Sequence, residues 1–369
     1  MSRRDVIRWA AAGAGACLLS GGCSRGVADA AEVGDHEALH WEAVDGGLVR
    51  CKLCPNGCVV PEGKRGYCEV RENRAGSYRT LVYGKVCAAH VDPIEKKPLF
   101  HFLPGSKAFS IATAGCNVEC QFCQNWEISQ ARPEDIGSQD LPPDAVVEAA
   151  RRYDCPSIAF TYSEPTIFYE FALDTATAAK KAGVHAVTIS NGFINADPMK
   201  RICEELSAVK IDLKGFTEEF YHKYVRGELK PVLETAKLVH SLGRHLELVT
   251  LLIPGLNDSE EDLRGLCRWA FDNLGPDVPM HFSRFHPDYK MKNLPVTPAR
   301  TVERACEIAA EAGVHYAYVG NSPGSPHEAT HCPACGETLI ERYGNMMTAM
   351  HLKDGKCPAC GTAIPGVWT

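Results

Sequence analysis

Long apolar runs are missing from this 369-residue chain. The longest candidate, an Ala-, Gly- and Leu-rich stretch from Trp9 to Gly22, is too short for an ordinary spanning helix. A multi-span membrane protein is thereby excluded. Charge of one sign is also scarce: 39 basic against 46 acidic residues leave a net −7. The overall positive field that favours nucleic acid is absent, which disfavours that partner. No internal repeat is visible, and no long low-complexity segment lies outside the N-terminal leader. With 45% apolar and 23% charged residues, the composition is that of a chain that folds. Its length suits two or three units, or one α/β barrel with additions.

Cysteine is what the chain has in excess. Of its 18 cysteines, eleven fall into three clusters: Cys51, Cys54, Cys58 and Cys68; Cys116, Cys120 and Cys123; and Cys332, Cys335, Cys357 and Cys360. A disulfide framework belongs to small domains that cannot build a core. A chain of this size can build one, so closely spaced cysteines point to metal. Of the scattered ones, Cys155, Cys203, Cys267 and Cys306 fall in or near predicted elements and are expected in the core.

The N-terminus reads as a leader. Arg3-Arg4 precedes the short apolar run, and small residues lead to Cys23, the pattern of a twin-arginine export signal. Leu19-Ser20-Gly21-Gly22-Cys23 is an imperfect lipoprotein box, with the bulky residue one place early. Residues 1–35 are assigned to this leader and linker. The expectation is export to the periplasm or attachment to a membrane as a lipoprotein; the alternative is a cytoplasmic protein.

From residue 108 onward, β-rich runs alternate with helical patterns. Strands are predicted at Phe109–Thr113, Ser157–Thr161, Ala186–Ser190, Ala208–Leu213, His245–Leu252, Met280–Arg284 and His315–Val319. Helices are predicted between them at Pro143–Tyr153, Ile167–Ala182, Pro198–Leu206, Lys230–Leu242, Ser259–Leu274 and Pro298–Ala312, the last capped by Thr297 with proline in its first turn. Such βα repetition implies a parallel sheet, here a partial or complete (β/α) TIM-type barrel over 108–325. A Cys-rich segment, 36–107, precedes it, and a zinc-ribbon-like segment, 326–369, follows. Chemistry on such folds sits at the C-terminal ends of the strands.

Cys116-x3-Cys120-x2-Cys123 follows the first predicted strand. Thiolates on a tight loop suit an iron–sulfur cluster. Three ligands on a four-iron cube leave one iron open to a substrate or cofactor. A zinc site would want a fourth ligand, and none is obvious nearby.

On this loop and the later strand ends the sequence resembles the radical S-adenosylmethionine (SAM) superfamily. Further motifs narrow the resemblance: Tyr83-Gly84, Asp92-Pro93-Ile94-Glu95-Lys96-Lys97-Pro98-Leu99, His101-Phe102-Leu103-Pro104-Gly105-Ser106, Cys123-Gln124-Asn125 and Tyr162-Ser163-Glu164-Pro165. Over about Leu39 to Trp368 these are similar to the AmmeMemoRadiSam system radical SAM enzymes, relatives of pyruvate formate-lyase activating enzyme. The resemblance implies that a 4Fe-4S cluster on Cys116, Cys120 and Cys123 cleaves SAM reductively, and that the resulting 5′-deoxyadenosyl radical takes hydrogen from a substrate. It implies a low-potential electron donor. Glu164 stands where the family has Gly-Gly-Glu-Pro, the two glycines being replaced by Tyr162 and Ser163; it would bind the methionine amino group. Asn191 would hydrogen-bond the cofactor, Lys214 would suit its carboxylate, Asp212 would accept from its ribose or hold a cation, and His286 would lie over the same mouth. The substrate, a small molecule, a peptide or a protein glycine as in activases, is left open.

Cys51, Cys54, Cys58 and Cys68, with Pro55, Gly57, Gly63 and Gly66 between them, make a knuckle suited to structural zinc or a second iron–sulfur cluster. Cys332-Pro-Ala-Cys335-Gly and Cys357-Pro-Ala-Cys360-Gly form a zinc-ribbon pattern. His36-Glu37-Ala38-Leu39-His40 matches the H-E-x-x-H peptidase motif, but lacks a third ligand in a suitable place. A non-catalytic iron–sulfur electron carrier or zinc-ribbon scaffold is the alternative to an enzyme.

Overall fold

The computed structural model describes residues 34–369; the leader and its cysteines lie outside them. Among the described residues no helix is long and apolar enough to cross a membrane.

An eight-stranded sheet organises the chain. Its strands are β1 (Ala88–Pro93), β2 (Lys107–Ala112), β3 (Ser157–Phe160), β4 (His185–Ser190), β5 (Ala208–Asp212), β6 (His245–Leu252), β7 (Met280–Arg284) and β8 (Ala317–Gly320), paired in sequence order. From β2 to β8 every pairing is parallel. The strand β1, which the sequence does not announce, runs antiparallel to β2. His90, Asp92 and Pro93 occupy three of its six places, so neither alternation nor an apolar run marks it. Crossover helices are α1 (Pro143–Arg152), α2 (Tyr169–Lys181), α3 (Ala196–Cys203), α4 (Leu229–Ser241), α5 (Glu260–Leu274) and α6 (Ala299–Glu311). This is a partial TIM-type fold. Strands β2 and β3 are buried almost end to end, as expected where helices cover a parallel sheet. The four scattered cysteines within this fold are buried, as expected.

One expected cap differs. Helix α6 begins at Ala299 with Pro298 as its N-cap and no side-chain cap. Thr297 instead uses its hydroxyl to join two strand ends: Oγ1 donates to the Leu252 carbonyl at 2.5 Å and accepts from Phe285 N at 3.0 Å.

The flanks are small antiparallel sheets. The N-terminal flank has two, one of Gly34–Glu37, Ser77–Tyr83 and Arg71–Arg74, and one of Trp41–Val44, Leu48–Cys51 and Val59–Val60. It docks on α2 through Tyr83, whose hydroxyl donates to Asp174 at 2.7 Å. His36 and Glu37 lie on a strand here, and His40 has a positive φ of 55°. The H-E-x-x-H match therefore has no helical face on which to hold an ion. The C-terminal flank is a three-stranded sheet of Thr330–His331, Thr338–Tyr343 and Met346–Met350. It shares an apolar cluster with Phe100, Tyr316 and Tyr318.

Candidate active site

The loop after β2 carries Cys116, Cys120 and Cys123, and each faces one cavity of about 560 Å³. The loop is braced from three sides. Glu119 N and Gln121 N donate to the carbonyls of Val225 and Tyr224 at 2.9 Å each. Asn117 Nδ2 donates to the Phe193 carbonyl at 2.7 Å. Ser129 Oγ lies 3.2 Å from Cys123 Sγ. Gly115 starts the turn at φ +99°, where a Cβ would stand 2.6 Å from Val70 Cγ1 and 3.0 Å from the Cys68 carbonyl. Burial pushes the Cys120 thiol up to about 12, and Lys214 only partly opposes it. Burial, with Glu164 and the neighbouring cysteines, raises Cys116 as well. These thiols need a metal charge beside them to stay ionised.

Glu164 lies in the loop just after β3 and is 2% exposed. Its Oε1 accepts from Thr166 N (3.0 Å), Thr166 Oγ1 (2.7 Å) and Ser190 Oγ (2.7 Å), and its Oε2 from Asn191 N (2.8 Å). Burial nevertheless holds its pKa above the ordinary carboxylate value. Glu164 thus ties the end of β3 to the end of β4. Asn191 is engaged within the loops too: Nδ2 donates to Asn117 Oδ1 at 2.8 Å and lies 3.9 Å from Cys116 Sγ, while Oδ1 accepts from Phe193 N at 2.8 Å.

Asp212 sits between two lysines. It accepts from Lys210 and, at 3.4 Å, from Lys214 Nζ. Burial works against its charge, but the two ammonium groups hold its pKa below the ordinary value. Burial likewise opposes the charge on Lys214, and Asp212 and Cys120 outweigh it. The structure does not bring His286 to this group: the side chain is exposed and is not among the cavity's lining residues. Buried Phe285 separates it from the strand residues that point inward. His281, on β7 itself, lines the cavity instead, with Ser283 on the same face. Lys210 and His281 were legible as partners two residues along a strand from Asp212 and Ser283.

Tyr162 keeps the left-handed backbone, at φ +64°, that a glycine would adopt freely. Its hydroxyl donates to Asp92, its carbonyl accepts from Asn125 Nδ2 at 3.0 Å, and Lys97 Nζ stands 4.7 Å from its ring centre. Lys97 and Lys96 in turn bind Asp92 at 2.6 and 2.8 Å. Ser163 and His281 are among the lining residues, and each carries one polar atom, Oγ and Nδ1, that is buried without a partner.

A thiol-bearing loop at the C-terminal end of the first parallel strand, open to a cavity lined by both charged and apolar side chains in a partial barrel, defines an enzyme class that works through a cluster and a bound cofactor. The profile of the Radical SAM superfamily matches residues 110–267. An uncharacterized protein of Methanocaldococcus jannaschii is 45% identical over 330 residues, 89% of this chain and 98% of that protein. The pyruvate formate-lyase-activating enzyme of Streptococcus mutans is 28% identical over 170 residues, 43% of this chain and 64% of the enzyme. The crystal structure of a radical SAM methyltransferase from Sphaerobacter thermophilus is similar over 64% of this chain and 71% of that one, at 18% identity and a TM-score of 0.48. The chain belongs to the radical SAM superfamily. Membership implies a 4Fe-4S cluster and SAM. The donor set fits them: three thiols on one loop, lining the same cavity as Glu164, Asn191, Asp212 and Lys214.

Proposed function

We propose that this protein cleaves SAM reductively and takes hydrogen from a substrate in the cavity, with Cys116, Cys120 and Cys123 holding the cluster. The observation that carries the reading is that all three thiols line one cavity together with Lys210, Asp212 and Lys214. When bound, the cluster and SAM supply a one-electron cleavage to methionine and a 5′-deoxyadenosyl radical. The chain's residues do the rest. Lys214 and Lys210 offer ammonium groups for the methionine carboxylate. Asp212, held charged between them, accepts from the ribose. Glu164 keeps one oxygen with a single hydrogen bond for the methionine amino group. Asn191 aims an amide hydrogen towards Cys116 Sγ.

Similarity to pyruvate formate-lyase-activating enzymes supports a glycyl-radical-type activase whose substrate is a glycine in a partner protein. An electron carrier would need no such cavity. A low-potential one-electron donor completes the reaction. In the C-terminal flank the four cysteines lie within 4.8 Å of one another, and Cys332–Cys360 and Cys335–Cys357 sulfurs are 3.6 and 3.7 Å apart. That spacing supports one tetrahedral zinc, whose thiolates at about 2.3 Å stand roughly 3.8 Å apart. Its hairpin tip, Gly344 and Asn345, lines the cavity, so this zinc would hold a wall of the substrate site.

The test is 5′-deoxyadenosine production by anaerobically reconstituted, dithionite-reduced protein given SAM. We expect product from the parent chain and none above background from Cys120→Ala. Full SAM cleavage by Cys120→Ala would overturn the assignment.

A further inference from the structure

The N-terminal knuckle is built around a charge that the reading above does not use. Arg71 is 1% exposed. Its Nη2 donates to Glu170 Oε2 at 2.5 Å, but Nε and Nη1 are buried with no partner. Besides Glu170, the ionisable groups close enough to act on the guanidinium include Cys51 and Cys68. Two unpaired N–H groups on a buried cation beside thiols are costly unless anionic sulfur accepts from them.

The knuckle also abuts the catalytic loop. The Cys68 carbonyl lies 3.0 Å from where a Cβ on Gly115 would stand, one residue before Cys116. Asn56 Nδ2 donates to the Asn117 carbonyl at 2.9 Å. The knuckle's thiols are spaced unlike those of the C-terminal flank. Among the described residues, the compact gathering that one tetrahedral ion needs is found at Cys332, Cys335, Cys357 and Cys360. The knuckle four spread more widely as a group, as do Cys116, Cys120 and Cys123, and a cluster of several irons needs that greater width.

We propose that Cys51, Cys54, Cys58 and Cys68 hold a second iron–sulfur cluster, whose negative charge is matched by hydrogen bonds from Arg71. Its place against the catalytic loop makes it the entry point for electrons. It takes one electron from an external low-potential carrier protein and passes one to the cluster on Cys116, Cys120 and Cys123, with no bond made or broken.

The experiment uses the full chain and reads metal rather than SAM cleavage, so its failure is distinct from failure of the catalytic assignment. Parent protein and a variant with Cys116, Cys120 and Cys123 all changed to Ala are reconstituted with iron and sulfide without oxygen, then assayed for iron and zinc and by Mössbauer spectroscopy. About eight irons per parent chain, and about four with a cluster spectrum in the triple variant, are expected. A triple variant that folds, holds no iron and binds zinc at the knuckle would overturn the proposal. In the triple variant background, Arg71→Met with Glu170→Met removes the ion pair as a unit. Iron should be retained and the reduction potential should fall. Should that variant not fold, Arg71→Lys takes its place, with the same expected direction. An unchanged potential would remove Arg71 from the site.

Discussion

Tyr162 shows how one side chain can stand in for the freedom of another. A non-glycine residue at positive φ costs about 1–2 kcal/mol. Here the ring that makes the conformation costly also anchors it, through Asp92 and under Lys97. Burial opposes ionisation of Asp92, but Lys97, Lys96 and the Tyr162 hydroxyl hold its carboxyl well below the usual range. The Asp92–Leu99 motif and the Tyr162–Pro165 motif are therefore two halves of one device, which their separation in sequence conceals. Tyr162→Phe should lower stability by about 1 kcal/mol, read by urea denaturation. The phenyl ring remains beneath Lys97, so the fold persists. The same scale shows what sequence could reveal of the site. Cys116, Cys120, Cys123, Glu164, Asn191, Asp212 and Lys214 all line the cavity, because motif spacing and strand ends place them there. His286 does not, because counting beyond a strand end loses the inward–outward alternation once the chain turns. Arg71 gave no signal at all: a buried arginine is indistinguishable in sequence from a surface one.

At the scale of elements, βα alternation located all seven parallel strands and six helices, with end shifts of a few residues. It did so because a sheet covered on both faces writes itself as short apolar runs. The antiparallel β1 and the small flanking sheets are not written that way, since one face of each is wet. The catalytic loop depends on contacts from elements distant in sequence. Gly115 is its most sensitive point, since both its φ and its contacts with Val70 and Cys68 exclude a side chain. Gly115→Ala should cost about 3 kcal/mol. Iron retained at the catalytic loop after reconstitution should fall by half or more, measured against the parent chain by iron assay.

At the scale of the whole molecule, chain segments far apart in sequence are sewn together at His101. It is fully buried; its Nδ1 lies 2.7 Å from the Pro365 carbonyl and its Nε2 2.6 Å from the Tyr318 hydroxyl. A neutral ring that donates from Nδ1 and accepts at Nε2 satisfies both. Burial pushes its pKa down to about 3, below the ordinary 6.5. The unfolded chain therefore binds the proton first, and stability falls as pH drops from about 6.5 towards 3. Thermal unfolding at pH 7.5 and 5.5 checks this: the midpoint should fall for the parent chain, and less so for His101→Gln, which does not titrate there. Charge and composition gave no hint of this seam, which is created by the tertiary packing itself.

The seam has a consequence in time. Phe102 bridges to Val367, Leu103 N donates to the Val367 carbonyl at 2.7 Å, and Val367 N donates to the His101 carbonyl at 2.8 Å. During synthesis the residues around His101 emerge from the ribosome some 260 residues ahead of Pro365. The seven parallel strands can pair first, because each needs only the strand made just before it. The Gly344–Asn345 wall and the stitch at Val367 come last, leaving the thiol loop open to iron and sulfide until translation is nearly done.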